Sequence, residues 1–307
     1  MFAILVRANV AINSILPYIL TSLLSFRPNI FTARRTLFVL LSAYMELKKL
    51  IDTVRHASLH MVDDPTGVHV TQKDGAANIV TSSDIAVQDT LMRMLSEACP
   101  DSRFLCEEGD IIPEDVCNDS DSPLWIIDPI DGTANYARGI RECAIAVGMY
   151  LHGAVQLAVV YLPRSGECFS AERGKGAWLN GTPIHVSSRP FSDSVMCTAM
   201  CVYHKENARV CSDIIMETYM QSNDVRRFGA AAPELCFLAM GRVELFFEYM
   251  LSPWDYAAAS LILTEAGGCI SDLRGKEVNP TCPSGILAAN TADNLLRLTD
   301  IVRRHIR

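Results

Sequence analysis

The chain predicts a mixed fold with two differently built parts, an antiparallel, hairpin-rich α+β half followed by an α/β half. Three observations carry this. Apolar runs between Cys143 and Asn180 are punctuated by tight turns at Gly153, Gly166, Gly174 and Gly176. From Ser194 onward, strand-like and helix-like runs alternate. Two helical runs open the first half, before any of the hairpins. At 307 residues the chain suffices for one large domain or two packed halves sharing a core.

The elements follow in order. From Met45, Leu47, Leu50, Ile51, Val54 and Ala57 recur at helical spacing, with Lys48, Lys49, Asp52 and Arg55 between them. Residues 63 to 77 are polar, contain Pro and Gly, and read as a loop. Ile79 to Thr81 reads as a short strand, and Ser82 or Ser83 as the N-cap of a helix carrying Ile85, Val87, Leu91, Met92 and Leu95. Arg103 to Cys106 is a short strand, and an acidic loop leads from it to Pro123. The apolar strand Leu124 to Ile127 comes next, then strands over Cys143–Leu151, Val155–Leu162 and Cys168–Ala171, and Asn180-Gly181 suits a tight hairpin. In the second half a strand near Ser194–Val202 precedes a helix near Ala208–Met220, and a short strand ends at Arg226 to Phe228. A helix from Gly229 to Gly241 carries Pro233 in its first turn, where the missing N–H costs nothing. Val243 to Tyr249 is a strand, and Asp255 starts a helix closed by Gly267-Gly268.

Composition narrows the function. Half of the residues are hydrophobic and a fifth charged, as in a soluble globular protein. A net charge of -8 and the lack of any basic run of five argue against broad nucleic-acid binding, and no nucleic-acid partner is expected. Eleven cysteines without a CxxC pair suggest neither a zinc knuckle nor a disulfide framework. Reduced thiols and a cytoplasmic location are expected. Residues 1 to 44 differ from the rest, with four arginines and no carboxylate. They fit an organelle-type presequence, a membrane anchor over Ala8 to Phe26, or an upstream extension outside the fold. The last is favoured, with no membrane role for residues 45–307. The expected division is residues 1–44 as the extension, 45–190 as the α+β half and 191–307 as the α/β half.

Apolar strands end in carboxylates at four places: Asp84 after Ile79–Thr81, Glu107 after Phe104–Cys106, Asp128 and Asp131 after Trp125–Ile127, and Asp255 beside Trp254. Any one of these is an ordinary turn former or helix cap. Together, at strand ends next to a core, unpaired like charges cost several kcal/mol, on the order of the penalty for a buried ion. A divalent cation removes that cost. An all-oxygen donor set selects Mg2+ over zinc. Pro129 leaves the Ile130 carbonyl between Asp128 and Asp131 as another oxygen ligand. The turn Asp131-Gly132-Thr133 offers N–H groups to an anion such as phosphate. Metals beside an anion seat suit phosphate-ester hydrolysis.

At WIIDPIDGTANY, Trp125 to Tyr136, the chain resembles the first signature of the inositol monophosphatase family of Mg2+-dependent, lithium-sensitive phosphatases. WDYAAASLILTEAGG, Trp254 to Gly268, is similar to the second signature, and IVTSSD, Ile79 to Asp84, and GKGAWLNG, Gly174 to Gly181, fit further family segments. The resemblance spans Met45 to the C-terminus. It implies the layered αβαβα sandwich shared with fructose-1,6-bisphosphatase, two or three Mg2+ ions, a small phosphorylated substrate and a homodimer.

The resemblance also implies the site. Glu107, Asp128 and the Ile130 carbonyl would hold the first ion, and Asp128, Asp131 and Asp255 the second, with Glu107 shared by a third. Asp84 and Thr133 would orient and deprotonate the attacking water. The Gly132 and Thr133 N–H groups would bind the phosphate, and Asp131 would also contact the substrate; Gly229, Ala230 and Ala231 would line the substrate pocket, and Glu248 would contact substrate hydroxyls. Lys73 and Arg226 match further family positions. Two departures stand out: Cys106 where the family has Gly, and Ala230 where inositol enzymes carry Thr. The implied activity is hydrolysis of a polyol or sugar phosphate, inositol monophosphate foremost. A 3'(2'),5'-bisphosphate nucleotidase, a fructose-1,6-bisphosphatase-like activity, or a non-catalytic regulatory homologue that binds partners such as the transcription apparatus stand as alternatives.

Overall fold

Helix α1 (Leu47–Ala57) buries Leu50, Val54 and Ala57 on one face. The structure is a computed structural model that describes residues 46–61, 70–72, 79–109, 122–202 and 204–306. The expectations for residues 1–44 and for Lys73 lie outside the described residues.

Strand β1 (Val70–Gln72) pairs antiparallel with β2 (Ile79–Thr81), so the polar stretch read as a loop contains a strand. The ladder to β2 supplies the backbone partners that polarity alone does not reveal. Helix α2 (Ser82–Ala98) is capped by Thr81 rather than Ser82 or Ser83. Thr81 Oγ1 accepts the Asp84 N–H at 3.4 Å while Asp84 Oδ2 accepts the Thr81 N–H at 2.9 Å, the reciprocal pattern of a capping box.

Strand β3 (Arg103–Cys106) is parallel to β4 (Leu124–Asp131). The sequence predicts that β4 ends at Ile127, but the strand continues through both aspartates and its register against the next strand shifts between Asp128 and Asp131. Pro129 lacks a ladder donor and sits inside that irregularity, as prolines in sheets do. A single-turn helix α3 (Thr133–Tyr136) follows, entered through Gly132 at φ +85°. Strands β5 (Ala144–Leu151), β6 (Ala154–Leu162), β7 (Glu167–Glu172), β8 (Gly176–Leu179) and β9 (Thr182–Pro183) complete a seven-stranded sheet in chain order, antiparallel beyond β4. His152 and Gly153, then Asn180 and Gly181, all have positive φ, the backbone that a two-residue hairpin requires.

The second sheet contains β10 (Val195–Thr198), β11 (Asp224–Arg226), β12 (Leu245–Leu251), β13 (Cys269–Ser271) and β14 (Ser284–Ala289), in the order β11-β10-β12-β14-β13. Strand β10 is parallel to β11 and β12, and β14 is antiparallel to β12 and β13. The helices of this half are α4 (Ala208–Tyr219), α5 (Ala231–Ala239), α6 (Pro253–Glu265) and α7 (Ala292–His305).

Alternation along the strands sorts side chains into layers. Trp125 and Ile127 of β4 pack with Leu50, Val54, Val87 and Leu91 of α1 and α2. Ile126, on the opposite face, joins a core made by α5, α6 and the inner face of the second sheet, with Phe246 and Tyr256. Phe247 points outward to Ile214 and Leu298 of α4 and α7. The order is helices, sheet, helices, sheet, helices: the αβαβα sandwich. Helices α5 and α6 are buried on nearly every side, which is why their sequences are apolar all round rather than striped.

Candidate active site

The acidic residues are carried by three kinds of local structure. Asp84 and Asp255 are each the third residue of a helix, bonded back to the cap: Asp255 Oδ2 accepts the Ser252 N–H at 2.7 Å. The reading of Asp255 as the start of its helix is thereby shifted, with Ser252 as N-cap and Pro253 first. Asp128 and Asp131 belong to the irregular end of β4, and Glu107 directly follows β3, its N–H donating to the Ile127 carbonyl at 3.2 Å.

Thr133 joins the groups. Its hydroxyl lies 3.1 Å from Asp84 Oδ1 and 2.9 Å from the Ile130 carbonyl, and it can donate to one of them at a time. The Asp131 carboxylate reaches the other half of the molecule, where Oδ2 accepts the Ala232 N–H at 2.6 Å. The segment Gly229 to Ala231 therefore lies against the β4 corner. A Cβ on Gly132 would stand 3.0 Å from the Ala230 Cβ. Asn135 of α3 donates to the carbonyls of Glu142 and Phe228, both at 2.7 Å, and ties the same two segments together.

The electrostatics are those of crowded carboxylates. Burial, followed by Glu107, Asp131 and Asp255, pushes Asp128 well above the usual carboxylate range. Burial, then Asp131 and Glu107, does the same to Asp255. Asp131 is pushed up to about 7 by burial, against the Ala232 N–H that pulls it down. Asp84 is raised by burial although Thr81 and Thr133 bond to it. Burial with the charges of Glu234, Asp255 and Asp131 raises Glu248. Asp128 Oδ1 is buried and has no hydrogen-bond partner among the described residues. Among the described residues no three His, Cys, Asp or Glu side chains form a ready-made cation group. The carboxylates instead share one region at electrostatic range. An orphaned buried oxygen amid like charges, in an all-oxygen set, fits a hard divalent cation.

Residues outside the sequence reading also contribute. Glu234 is buried at the first turn of α5, and its Oε1 accepts the N–H groups of Phe228 and Gly229 at 2.7 and 2.9 Å. Burial pushes it up to about 8. An acid four residues after the Gly229-Ala230 turn was its only sequence signal. Arg227, beside the residue singled out, is the cation that lowers Glu234 and Glu248. Arg226 pairs with Asp224 and lines a cavity of about 460 Å³ with Arg141, Arg242 and Phe228, which none of the carboxylates gathered around Asp128 lines. Cys106 packs in the core under α1 and α2, where burial pushes its thiol up to about 12; no positive φ at this position calls for glycine.

The profile of the Inositol monophosphatase family matches residues 36–307. The chain belongs to this family. The Nus factor SuhB of Salmonella typhimurium is 35% identical over 229 residues, 74% of this chain and 84% of that protein. The extragenic suppressor protein suhB of Bartonella henselae superposes with a TM-score of 0.75 at 28% identity, covering 86% of this chain and 100% of the other. The IMPase of Thermotoga maritima gives 0.73 at 30% identity, covering 84% and 97%. The inositol monophosphatase fold expected from the two signature segments is thus the fold found.

Proposed function

We propose that this chain is a Mg2+-dependent phosphomonoesterase acting on a small polyol or sugar phosphate, inositol monophosphate foremost. The observation that carries the reading is the acidic group of buried Asp128 and Asp131 with half-buried Glu107 and Asp255, in which one carboxylate oxygen, Asp128 Oδ1, has no partner among the described residues. Glu107, Asp128, Asp131, Asp255 and the Ile130 carbonyl would hold two or three Mg2+ ions. Bound Mg2+ polarises a phosphate ester and makes water a competent nucleophile near neutral pH.

The chain's own residues account for the rest. Asp84, raised by burial, accepts the Thr133 hydroxyl, and Thr133 can pass a proton from water to it. The turn that begins at Gly132 and Thr133 would seat the phosphate. The Gly229 to Ala231 segment, braced by Glu234 and Asn135, lines the alcohol side. Glu248 would read hydroxyls there.

Phosphate release over a panel of polyol, sugar and nucleotide phosphates, with Mg2+, with EDTA and with lithium, tests the reading. Mg2+-dependent release abolished by EDTA is expected; no Mg2+-dependent release from any ester overturns it. The SuhB relatives' designation as Nus factors favours a second reading, a partner-binding role on the same scaffold. Under that reading, Asp128→Asn leaves partner capture unchanged.

A further inference from the structure

Gln88 lies four residues after Asp84 on α2 and is buried. Its Nε2 donates to the Glu108 carbonyl at 2.6 Å, and its Oε1 accepts the Glu108 N–H at 3.1 Å. One side-chain amide thus binds both backbone groups of one residue, as a neighbouring strand would. The place matters, because among the described residues β3 is the edge strand of its sheet and pairs with β4 alone. Its pairing ends with the Glu107 N–H on the Ile127 carbonyl. Gly109 follows at φ +88°. Glu107 is held to β4 through its own N–H, and the residue after it, Glu108, is held by the Gln88 amide.

We propose that Gln88 is a positioning residue that sets the Glu107 carboxylate for Mg2+ and so governs the affinity of the site for that ion. This rests on the metal reading above. Gln88 touches neither ion nor substrate; it acts through the Glu108 backbone. A spacing of four places Gln88 and Asp84 on one face of α2, so a single helix holds both the proton acceptor and the turn that carries Glu107. Groups that orient a ligand typically change metal affinity by about 10- to 100-fold when removed.

The test is Mg2+ titration of the full-length chain, stripped with EDTA and dialysed, by calorimetry and by thermal shift. Gln88→Met keeps the length and removes both bonds; Gln88→Glu keeps the acceptor for the Glu108 N–H and removes the donor. Leu91→Val, in the α2 core, controls for general loosening. We expect the Mg2+ Kd to rise about tenfold or more in Gln88→Met and less in Gln88→Glu. In Leu91→Val, Tm should fall with Kd unchanged. At saturating Mg2+, the kcat of Gln88→Met should recover towards that of the unaltered chain. A Kd within twofold of the unaltered chain for Gln88→Met, or an equal rise in Leu91→Val, overturns the proposal. If Gln88→Met fails to fold, an unchanged Kd in Gln88→Glu does so. No Mg2+ response in the unaltered chain removes the metal reading, and this proposal with it.

Discussion

Asp131 Oδ2 accepts the Ala232 N–H at 2.6 Å, joining residues 101 positions apart in the chain. The carboxylate thereby satisfies an N-terminal donor of α5 while standing among Asp128, Asp255 and Glu107. One side chain serves the junction of the two halves and the proposed metal site, and the two tasks respond oppositely to loss of its charge. Asp131→Asn keeps an acceptor for Ala232 and removes one of the crowded charges. In EDTA its Tm should equal or exceed that of the unaltered chain. Its Mg2+-induced stabilisation should shrink, and phosphate release should fall about 100-fold or more, the scale of a lost metal ligand or charge-stabilising group. Thermal melts with and without Mg2+, beside the activity assay, check both signs.

Stability of the metal-free protein should fall as pH rises. Asp131 is raised from 3.8 to about 7, and Asp128, Asp255 and Asp84 are raised as well. Between the unfolded and folded pKa values the folded state holds more protons. Its stability is therefore complete below the unfolded value and lost as pH climbs through the folded one. In EDTA, Tm at pH 8 should lie below that at pH 5 by on the order of 5–10 °C. Saturating Mg2+ should flatten the slope. A Tm in EDTA that rises over this range would contradict the crowding of these carboxylates.

Thr133→Ala should leave Mg2+ affinity near that of the unaltered chain and lower kcat by about 100-fold or more, the range of a lost proton-transfer group. Thr133→Ser retains the hydroxyl that meets Asp84 Oδ1 at 3.1 Å and should recover most of the rate. Equal losses in both variants would show that the methyl group, not the hydroxyl, matters.

Local pattern made much of this site legible. Asp128, Asp131 and Asp255 announce themselves because an apolar strand or a capped helix ends in charge, which is visible within a few residues. The groups that support them do not. Gln88 on Glu108, Glu234 on the Gly229 turn and Arg227 near Glu248 act across 20, 5 and about 20 positions, through contacts that only the assembled sheets create. Arg226 and Arg227 carry the same charge side by side, so nothing in the sequence says which one acts on Glu234 and Glu248. Strand β1 escaped for a related reason: three residues become a strand only because β2 lies beside them. Strands β13 and β14 and helix α7, beyond Gly268, carry no such motif.

Glu234→Ala should loosen the pocket segment. It strips the Phe228 and Gly229 N–H groups of their acceptor, a loss of about 1–3 kcal/mol when such donors stay unsatisfied. KM should rise several-fold with a smaller change in kcat if, as proposed, the segment lines the alcohol side rather than the phosphate. Glu234→Gln keeps the acceptor oxygen and should hold KM within about twofold, on the same reckoning of one preserved bond. A matching KM for Ala and Gln would assign the effect to charge instead.

Gly132→Ala tests how closely the two halves meet at the phosphate turn. The position has φ +85°, and an added Cβ would stand 3.0 Å from both the Ala230 Cβ and the Glu142 carbonyl oxygen. Gly139→Ala is the companion: φ is +73°, with nothing within 4 Å of the added carbon. Backbone strain alone costs about 1–2 kcal/mol for a left-handed residue, so Gly139→Ala should lose that much in denaturant unfolding. Gly132→Ala should lose about 1–3 kcal/mol more from overpacking. It should also lose most of its phosphate release, because relief of the clash must move either the turn at Thr133 or the segment at Ala230. Equal losses of stability in the two variants would mean that the β4 corner and the Gly229 to Ala231 segment are not in contact at this point.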